Sequence, residues 1–299
     1  MSEIENTINS LKALDLCKVT DAEVLKAVSQ TEKLVLFGSN IKAGQFVLRG
    51  RPDRGFKPYY YEREITYIKQ SESNIIPRYN RASIEGQSMF YGSIPTGDEN
   101  FSQIQTCFEI TSISGSDTED GKEYEEYVTM GKWRVKKEFP VTSIVHHSMF
   151  LQVNSFMKSM NDEYLKVIEQ YPAQKEEYIK AVEYLSSEFA KPVPDDKRYL
   201  YKITGAFANI LFAHGLAGVI YPSVKTEGKG FNIAILPTTV DSCLVLEKVA
   251  VWRLKKKHKN FMIQPYLYCD KFSSDGKFIW EEPTAILANP LVESRLDAK

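Results

Sequence analysis

The sequence predicts an α+β fold, with a mixed, mostly antiparallel β core, peripheral helices and a helical insertion. Three observations predict it. Short apolar runs of strand length, punctuated by Gly, Pro, Ser and Asp, recur from Gln45 onward. Two of these runs double back through turn-forming segments, KTEGKG and Ser-Asp-Gly, as antiparallel hairpins do. Apolar residues three and four apart mark helices at the N-terminus and from about 153 to 214.

The elements follow in order. Ile4, Ile8, Leu11, Leu14 and Leu16 recur at near-helical spacing, and Thr20-Asp21 suits the cap of a second helix from Ala22. Gln45–Arg49 reads as a strand and is followed by a basic, aromatic loop, RPDRGFKPYYYERE. Ser88–Ser93 reads as the next strand, closed by Pro95-Thr96-Gly97. Phe101–Ile113 is either a helix leading into a strand or a strand throughout. Gly115–Gly121 is a polar turn.

Strands are expected over Lys122–Val135 and Thr142–His146, then helix from Val153 to Ala190, broken at Pro172. Asp195 and Asp196 suit the cap of a helix that runs to His214 and ends at Gly215. Gly218–Ser223, Phe231–Leu236 and Cys243–Leu254 read as strands, and YLYCDKFSSDGKFIWEE as a hairpin. No internal repeat and no Pro-rich or Gly/Ser-rich linker interrupts the chain. One domain is therefore expected over 45–299, with an N-terminal helical extension over 1–44, a helical insertion near 153–198 and a C-terminal hairpin near 260–285.

Composition excludes several classes. The 299 residues carry 38 basic and 39 acidic side chains, so no general polyanion-binding surface and no direct nucleic-acid contact are expected. The polar N-terminus lacks a signal peptide's apolar core, and no apolar run nears the roughly 20 residues that span a bilayer. A cytoplasmic protein without membrane contact is expected. Cys17, Cys107, Cys243 and Cys269 are far apart, which argues against a zinc site or disulfide framework and for reduced thiols.

Two stretches carry candidate chemistry. In RASIEGQSMFYGS, Arg81 suits a phosphate or carboxylate, Gly86 permits a sharp turn, and Tyr91 offers its ring to a flat ligand. In GVIYPSVKTEGKGFNIAILP, a hairpin would bring Ser223 and Asn232 to one edge. Each stretch also reads as ordinary turn and strand furniture.

Together they resemble the RES-domain family, named for an Arg, a Glu and a Ser. Arg81, Gly86 and Tyr91 match its first segment. Ser223 in IYPSV and Asn232 in GFNIAILP match its last. Glu109 in CFEI is the best match for the glutamate, with Glu99 its competitor, and Arg49 and Arg51 resemble an early arginine pair. The similarity covers roughly residues 45–115 and 200–254. The spacing from Tyr91 to Glu109 is longer than the family pattern, with PTGDENFSQ as the extra segment.

The resemblance implies an ADP-ribosyltransferase-like fold and an enzyme that consumes NAD⁺ as substrate, with no prosthetic group. It implies cleavage of the nicotinamide–ribose bond by phosphorolysis, with inorganic phosphate, or by hydrolysis. It further implies a toxin paired with a helix-turn-helix antitoxin. Arg81 and Arg49 or Arg51 would neutralise the diphosphate, Tyr91 would stack on nicotinamide or ribose, and Ser223 and Asn232 would bind ribose or carboxamide. Glu109 would stabilise the oxocarbenium-like state. The same residues would serve transfer of ADP-ribose to a protein, and an inactive interaction module is the third reading.

Other signals were expected to be structural. Adjacent strand residues such as His146 and His147 point to opposite faces, so they form no metal pair. His214 suits a helix end. The run Lys255–Lys259 reads as a solvated loop between strands.

Overall fold

The computed structural model describes residues 3–31, 34–36, 38–69, 76, 79–95, 99–111, 123–258, 260–284 and 292–295. The turn expected at Gly115–Gly121, most of the turn at Pro95–Gly97, and Lys122 and Lys259 lie outside them. Along the chain come α1 (Glu3–Ala13), α2 (Asp21–Ser29), β1 (Gly38–Ile41), β2 (Phe46–Pro52), α3 (Glu62–Ile65), β3 (Phe90–Ile94) and α4 (Glu99–Ile110). Next are β4 (Glu123–Val135), β5 (Phe139–Ser143), α5 (Ser148–Leu151), α6 (Ser155–Ile168) and α7 (Lys175–Ala190). A 3₁₀ segment, Asp195–Tyr201, leads into α8 (Lys202–Ala213). The chain then forms β6 (Gly218–Pro222), β7 (Phe231–Ile235), α9 (Pro237–Cys243), β8 (Leu244–Lys257), β9 (Asn260–Cys269) and β10 (Val292–Arg295).

The fold is α+β, as the sequence predicts, and its strand pairs are mostly antiparallel. The chain gathers into two compact units, each discontinuous in sequence: 1–42, 67–91 and 138–242 in the first, and 43–66, 92–137 and 243–299 in the second. Among the described residues no helix is long and apolar enough to cross a membrane. The four cysteines form no disulfide.

The first unit is a helix-covered sheet in the order β1-β5-β6-β7. Its β5–β6 pair is parallel, and the hairpin β6–β7 and the pair β1–β5 are antiparallel. Both strands of the hairpin are buried throughout, which their unbroken apolar sequence requires. The core joins α1, α2, α7 and α8: Leu11, Val24, Val28, Leu185, Phe189 and Phe207 are all buried in it. The N-terminal helices are thus part of this unit's core. Thr20 caps α2 with a capping box, its hydroxyl accepting from the Glu23 N–H while Glu23 accepts from the Thr20 N–H. Gly205 lets α8 lie close to the backbone at Ser83, since a Cβ there would sit 2.9 Å from the Ser83 carbonyl oxygen.

The second unit is an antiparallel sheet, β3-β2-β4-β8-β9-β10, whose first strand begins in the chain of the other unit. One face is covered by α4. Cys107 is fully buried there with Leu48, Val128, Leu254 and Ile263, and Phe108 stacks on Phe261 at 4.9 Å. Gly50 makes room for this packing, because a Cβ would meet Ile110 at 2.4 Å. The opposite face of β4, β8 and β9 carries a mixed set of charged and aromatic side chains.

Two expectations are resolved here. Glu99–Ile110 is a helix, the first of the two readings left open. The lysine run is a correction: Lys255, Lys256 and Lys257 belong to β8, not to a loop. Lys255 is held by Glu123 at 3.0 Å across the strand pair, and Lys256 faces inward and is 8% exposed. Partner carboxylates from a distant strand make a basic strand possible. Only His258, with φ at 53°, marks the turn itself among the described residues.

Candidate functional site

The first unit assembles four of the seven candidate residues. Arg81 follows Asn80, whose side-chain oxygen accepts from the Arg81 N–H at 2.9 Å. Its guanidinium reaches the end of α7, where Nη1 donates to the carbonyls of Phe189 and Lys191, the latter at 3.1 Å. Those carbonyls are left without intrahelical donors at a helix C-terminus, where a cation is also favoured. Nη2 donates to the Tyr201 hydroxyl at 3.3 Å, and the guanidinium lies over the rings of Tyr201 and Tyr221, 5.0 and 5.8 Å from their centroids. An arginine has five N–H donors, so about two remain uncommitted among the described residues.

Tyr91 opens β3. Its hydroxyl accepts from the Ala82 N–H at 3.2 Å and pairs with the Ser83 hydroxyl at 2.9 Å. Burial pushes this phenol up to about 12, with the Ser83 and Ala82 donors and the nearby Arg81 charge opposing. It is therefore a neutral hydrogen-bonding group at any physiological pH. The signature segment Arg81–Tyr91 closes on itself through these bonds.

The hairpin behaves as its pattern predicts. Tyr221 stands opposite Asn232, and the Ser223 N–H donates to the Gly230 carbonyl at 2.8 Å. Residues opposite each other, and residues two apart, share a face of a strand pair. Tyr221, Ser223 and Asn232 therefore share one face, and Tyr221 packs there on Phe189, 5.8 Å between centroids. Ser223 is fully buried and Asn232 is 7% exposed. The Ser223 hydroxyl accepts from the Thr226 N–H at 3.1 Å and so shapes the turn. Gly228, with φ at 78°, packs against Phe150, which leaves no room for a Cβ. Asn154 clamps the same turn by donating to the Gly228 and Lys229 carbonyls.

The other three candidates lie in the second unit. Arg49 donates from Nε to the Ile65 carbonyl at 3.1 Å and from Nη2 to Thr66 at 3.3 Å. Arg51 donates to the Glu64 carbonyl at 2.7 Å. Both thus satisfy carbonyls at the end of α3. Glu109 sits near the end of α4 and is partly exposed. Glu99 opens the same helix, and its side chain lies outside the described residues. The structure thus divides the candidates, four and three, between units.

Sequence reasoning missed two features of the first unit. Tyr201 and Tyr221 sandwich the Arg81 charge, and Tyr221 sat within the quoted IYPS without a role. A groove of about 720 Å³ borders the signature loop at Gly86 and Gln87 and is otherwise walled by Tyr67, Asn209, Pro237 and Asp241 among others. In it Tyr67 donates to both Asp241 oxygens, at 2.9 and 2.8 Å, and Gln87 and Asn209 exchange two amide hydrogen bonds at 3.0 Å. Arg81, Tyr91, Ser223 and Asn232 do not line it.

His146 and His147 part company as expected. The His146 ring shares a hydrogen bond with Asn161 at 2.9 Å and lies against Tyr164, whereas the His147 ring lies against Phe150. His214 is the C-cap of α8. Among the described residues no group of three or more His, Cys, Asp or Glu side chains is placed to hold a metal ion. The chain matches no protein-family model, and a search of curated proteins finds no match.

Proposed function

We propose that this protein is an NAD⁺-consuming enzyme of the RES kind, cleaving the nicotinamide–ribose bond by phosphorolysis or hydrolysis. The observation that carries the reading is the polar set held inside the first unit. Tyr221, Ser223 and Asn232 share one face of a buried hairpin, and Arg81 lies over Tyr221 with about two donors uncommitted. Burying a serine, an asparagine and an arginine in one unit costs free energy unless each is hydrogen-bonded. A core without a polar ligand has no need of them.

On this reading the two remaining Arg81 donors bind a phosphate oxygen of the substrate. Tyr91, its hydroxyl tied to Ala82 and Ser83, contributes its ring. Asn232 and Ser223 hydrogen-bond ribose or carboxamide. Arg49 and Arg51 act first on the α3 carbonyls and only through any remaining donors on substrate. Glu109 faces the positive charge that develops at the anomeric carbon as the C–N bond breaks. Nicotinamide departs as a neutral base with the bonding electron pair, so no general acid is needed. Water or phosphate supplies the new bond to that carbon, and a water nucleophile also gives up a proton.

The test is product analysis after incubation of purified protein with NAD⁺. Nicotinamide plus ADP-ribose marks hydrolysis, nicotinamide plus a phosphorylated ADP-ribose marks phosphorolysis, and ADP-ribose on protein marks transfer. Glu109→Gln is expected to slow release by roughly 10²–10³, the usual cost of losing a group that stabilises transition-state charge. Full activity in Glu109→Gln removes that residue from the mechanism.

A second reading has its own observation. Arg49, Arg51 and Arg81 all donate to carbonyls at helix ends, so each has a structural reason to be present. This favours a RES-like interaction protein without activity. The toxin role and a helix-turn-helix antitoxin partner are carried by the resemblance alone.

A further inference from the structure

The second unit leaves one face of its sheet without a covering helix, and at one end of that face stands an unusual turn. Arg54 and Lys57 bridge each other across Gly55 and Phe56, whose φ angles are 60° and 63°. Two successive positive φ values define a tight hairpin turn that favours Asn or Gly at both positions. Phenylalanine at the second position is a strained choice, since L-residues with a Cβ avoid this region. The strain gains no burial, because the Phe56 ring is 63% exposed.

The ring is not isolated. It meets Tyr127 edge-on at 5.5 Å, and Tyr127 meets Tyr266 at 4.9 Å. Tyr266 is itself 43% exposed. Three aromatic rings thus form a continuous, solvent-facing row across β4 and β9. Strained backbone and an exposed aromatic surface are each expensive, and their coincidence points to a ligand.

The charges beside the row say which ligand. Strand register sets Tyr127 opposite Arg253, Glu125 opposite Lys255 and Glu123 opposite Lys257. The two carboxylates are already engaged. Glu125 accepts from Arg253 at 2.8 Å and from the Tyr127 hydroxyl at 2.5 Å, and Glu123 pairs with Lys255 at 3.0 Å. Lys257, Arg54 and Lys57 are exposed, and none of them forms an ion pair among the described residues. Local charge on this face is therefore positive although the whole chain is near neutral.

We propose that this face binds single-stranded nucleic acid, with bases stacked along Phe56, Tyr127 and Tyr266 and phosphates held by Arg54, Lys57 and Lys257. Aromatic rings on an open antiparallel sheet, flanked by cations, accept unpaired bases of any sequence because every base has a π-face. A duplex hides those faces and binds only through its phosphates. The short turn presents Phe56 in its binding position before the ligand arrives, so little ordering entropy is lost. This inference replaces the expectation, drawn from net charge, that nucleic acid is not contacted. It does not depend on NAD⁺ cleavage.

The test is fluorescence anisotropy with a labelled 12-nucleotide RNA, the same sequence as DNA, and a DNA duplex, at low and moderate salt. The full-length protein is expected to bind both single strands, to prefer them to the duplex, and to weaken with salt. Phe56→Asn should lower single-strand affinity by about tenfold, in keeping with the loss of one stacking ring. Because Asn adopts positive φ readily, the same variant should raise the thermal unfolding midpoint, so weaker binding cannot be put down to misfolding. Arg54→Glu combined with Lys57→Glu should weaken binding further and flatten its salt dependence. Absence of single-strand binding at low salt, equal affinity for the duplex, or unchanged affinity in Phe56→Asn would each overturn the proposal.

Discussion

The two units spend their arginines and aromatics differently. In the first, Arg81 is drawn inward, shared between the carbonyls ending α7 and the rings of Tyr201 and Tyr221. In the second, Arg253 lies on an open sheet face and pairs with Glu125 across the strand register. The first arrangement is a cation used as a helix cap inside a packed core. The second is a ladder of partly exposed pairs, each worth little alone. The difference teaches that residue type does not announce role. Burial and the nearest unsatisfied carbonyl decide whether an arginine builds or binds.

That contrast can be broken most sharply at Arg81. Arg81→Ala strips donors from the carbonyls of Phe189 and Lys191 and should cost about 2–4 kcal/mol, the range for breaking a buried, charged hydrogen-bond set. Denaturant unfolding measures this, and Arg81→Lys should recover only part, since an ammonium lacks the planar fork. The same change at the other extreme, Arg253→Ala, should cost about 0–1 kcal/mol and depend on salt. Equal losses at the two sites would erase the contrast.

Next in size is the close approach of α8 to the Arg81 segment. Gly205→Ala adds a Cβ 2.9 Å from the Ser83 carbonyl oxygen. Overpacking of this kind typically costs about 1–3 kcal/mol, partly offset by alanine's better helix propensity. A stabilised Gly205→Ala would mean that the helix can shift without cost. The Thr20 cap comes after it: Thr20→Ala should lose about 1 kcal/mol.

The units also carry buried titratable groups of opposite sign. In the first, burial lowers the pKa of His146, against the Asn161 hydrogen bond that raises it. As pH falls below about 6.5 the unfolded chain gains a proton that the folded state resists, so His146 makes stability fall with acid. In the second, burial pushes the Asp53 carboxyl up to about 6 against the donors of Thr129. Between about pH 4 and 6 the folded state then holds a proton the unfolded chain has lost. Asp53 thus makes stability rise with acid in that window. Unfolding midpoints measured from pH 4 to 7.5 should steepen in their acid loss for Asp53→Asn and flatten for His146→Gln. The smallest expected effect is at Tyr164, whose buried hydroxyl has no hydrogen-bond partner among the described residues. Tyr164→Phe should be neutral or stabilising by up to about 1 kcal/mol.

Local signals carried most of the element map. Thr20 with Glu23, the Pro172 break and the paired runs around KTEGKG each act within a few residues, so their physics is visible in sequence. The same holds for the shared face of Tyr221, Ser223 and Asn232, which follows from strand alternation once the hairpin is granted. What stayed hidden depends on partners far along the chain. Arg81 meets Phe189 across 108 residues, and Lys255 meets Glu123 across 132. No local pattern shows that the lysines have carboxylates waiting, so a strand was mistaken for a loop. Phe108 and Cys107 in α4 fit either a helix or a strand until the sheet beneath them is in place.

The central claim is NAD⁺ cleavage, and free nicotinamide over time is its most direct measure. The purified chain, with NAD⁺ and with phosphate either present or absent, should release nicotinamide in step with NAD⁺ loss, and Ser223→Ala and Glu109→Gln should release it far more slowly. If wild-type protein releases none in either buffer and transfers no ADP-ribose, the chain is not an NAD⁺-consuming enzyme, and the buried polar hairpin serves structure or a partner instead.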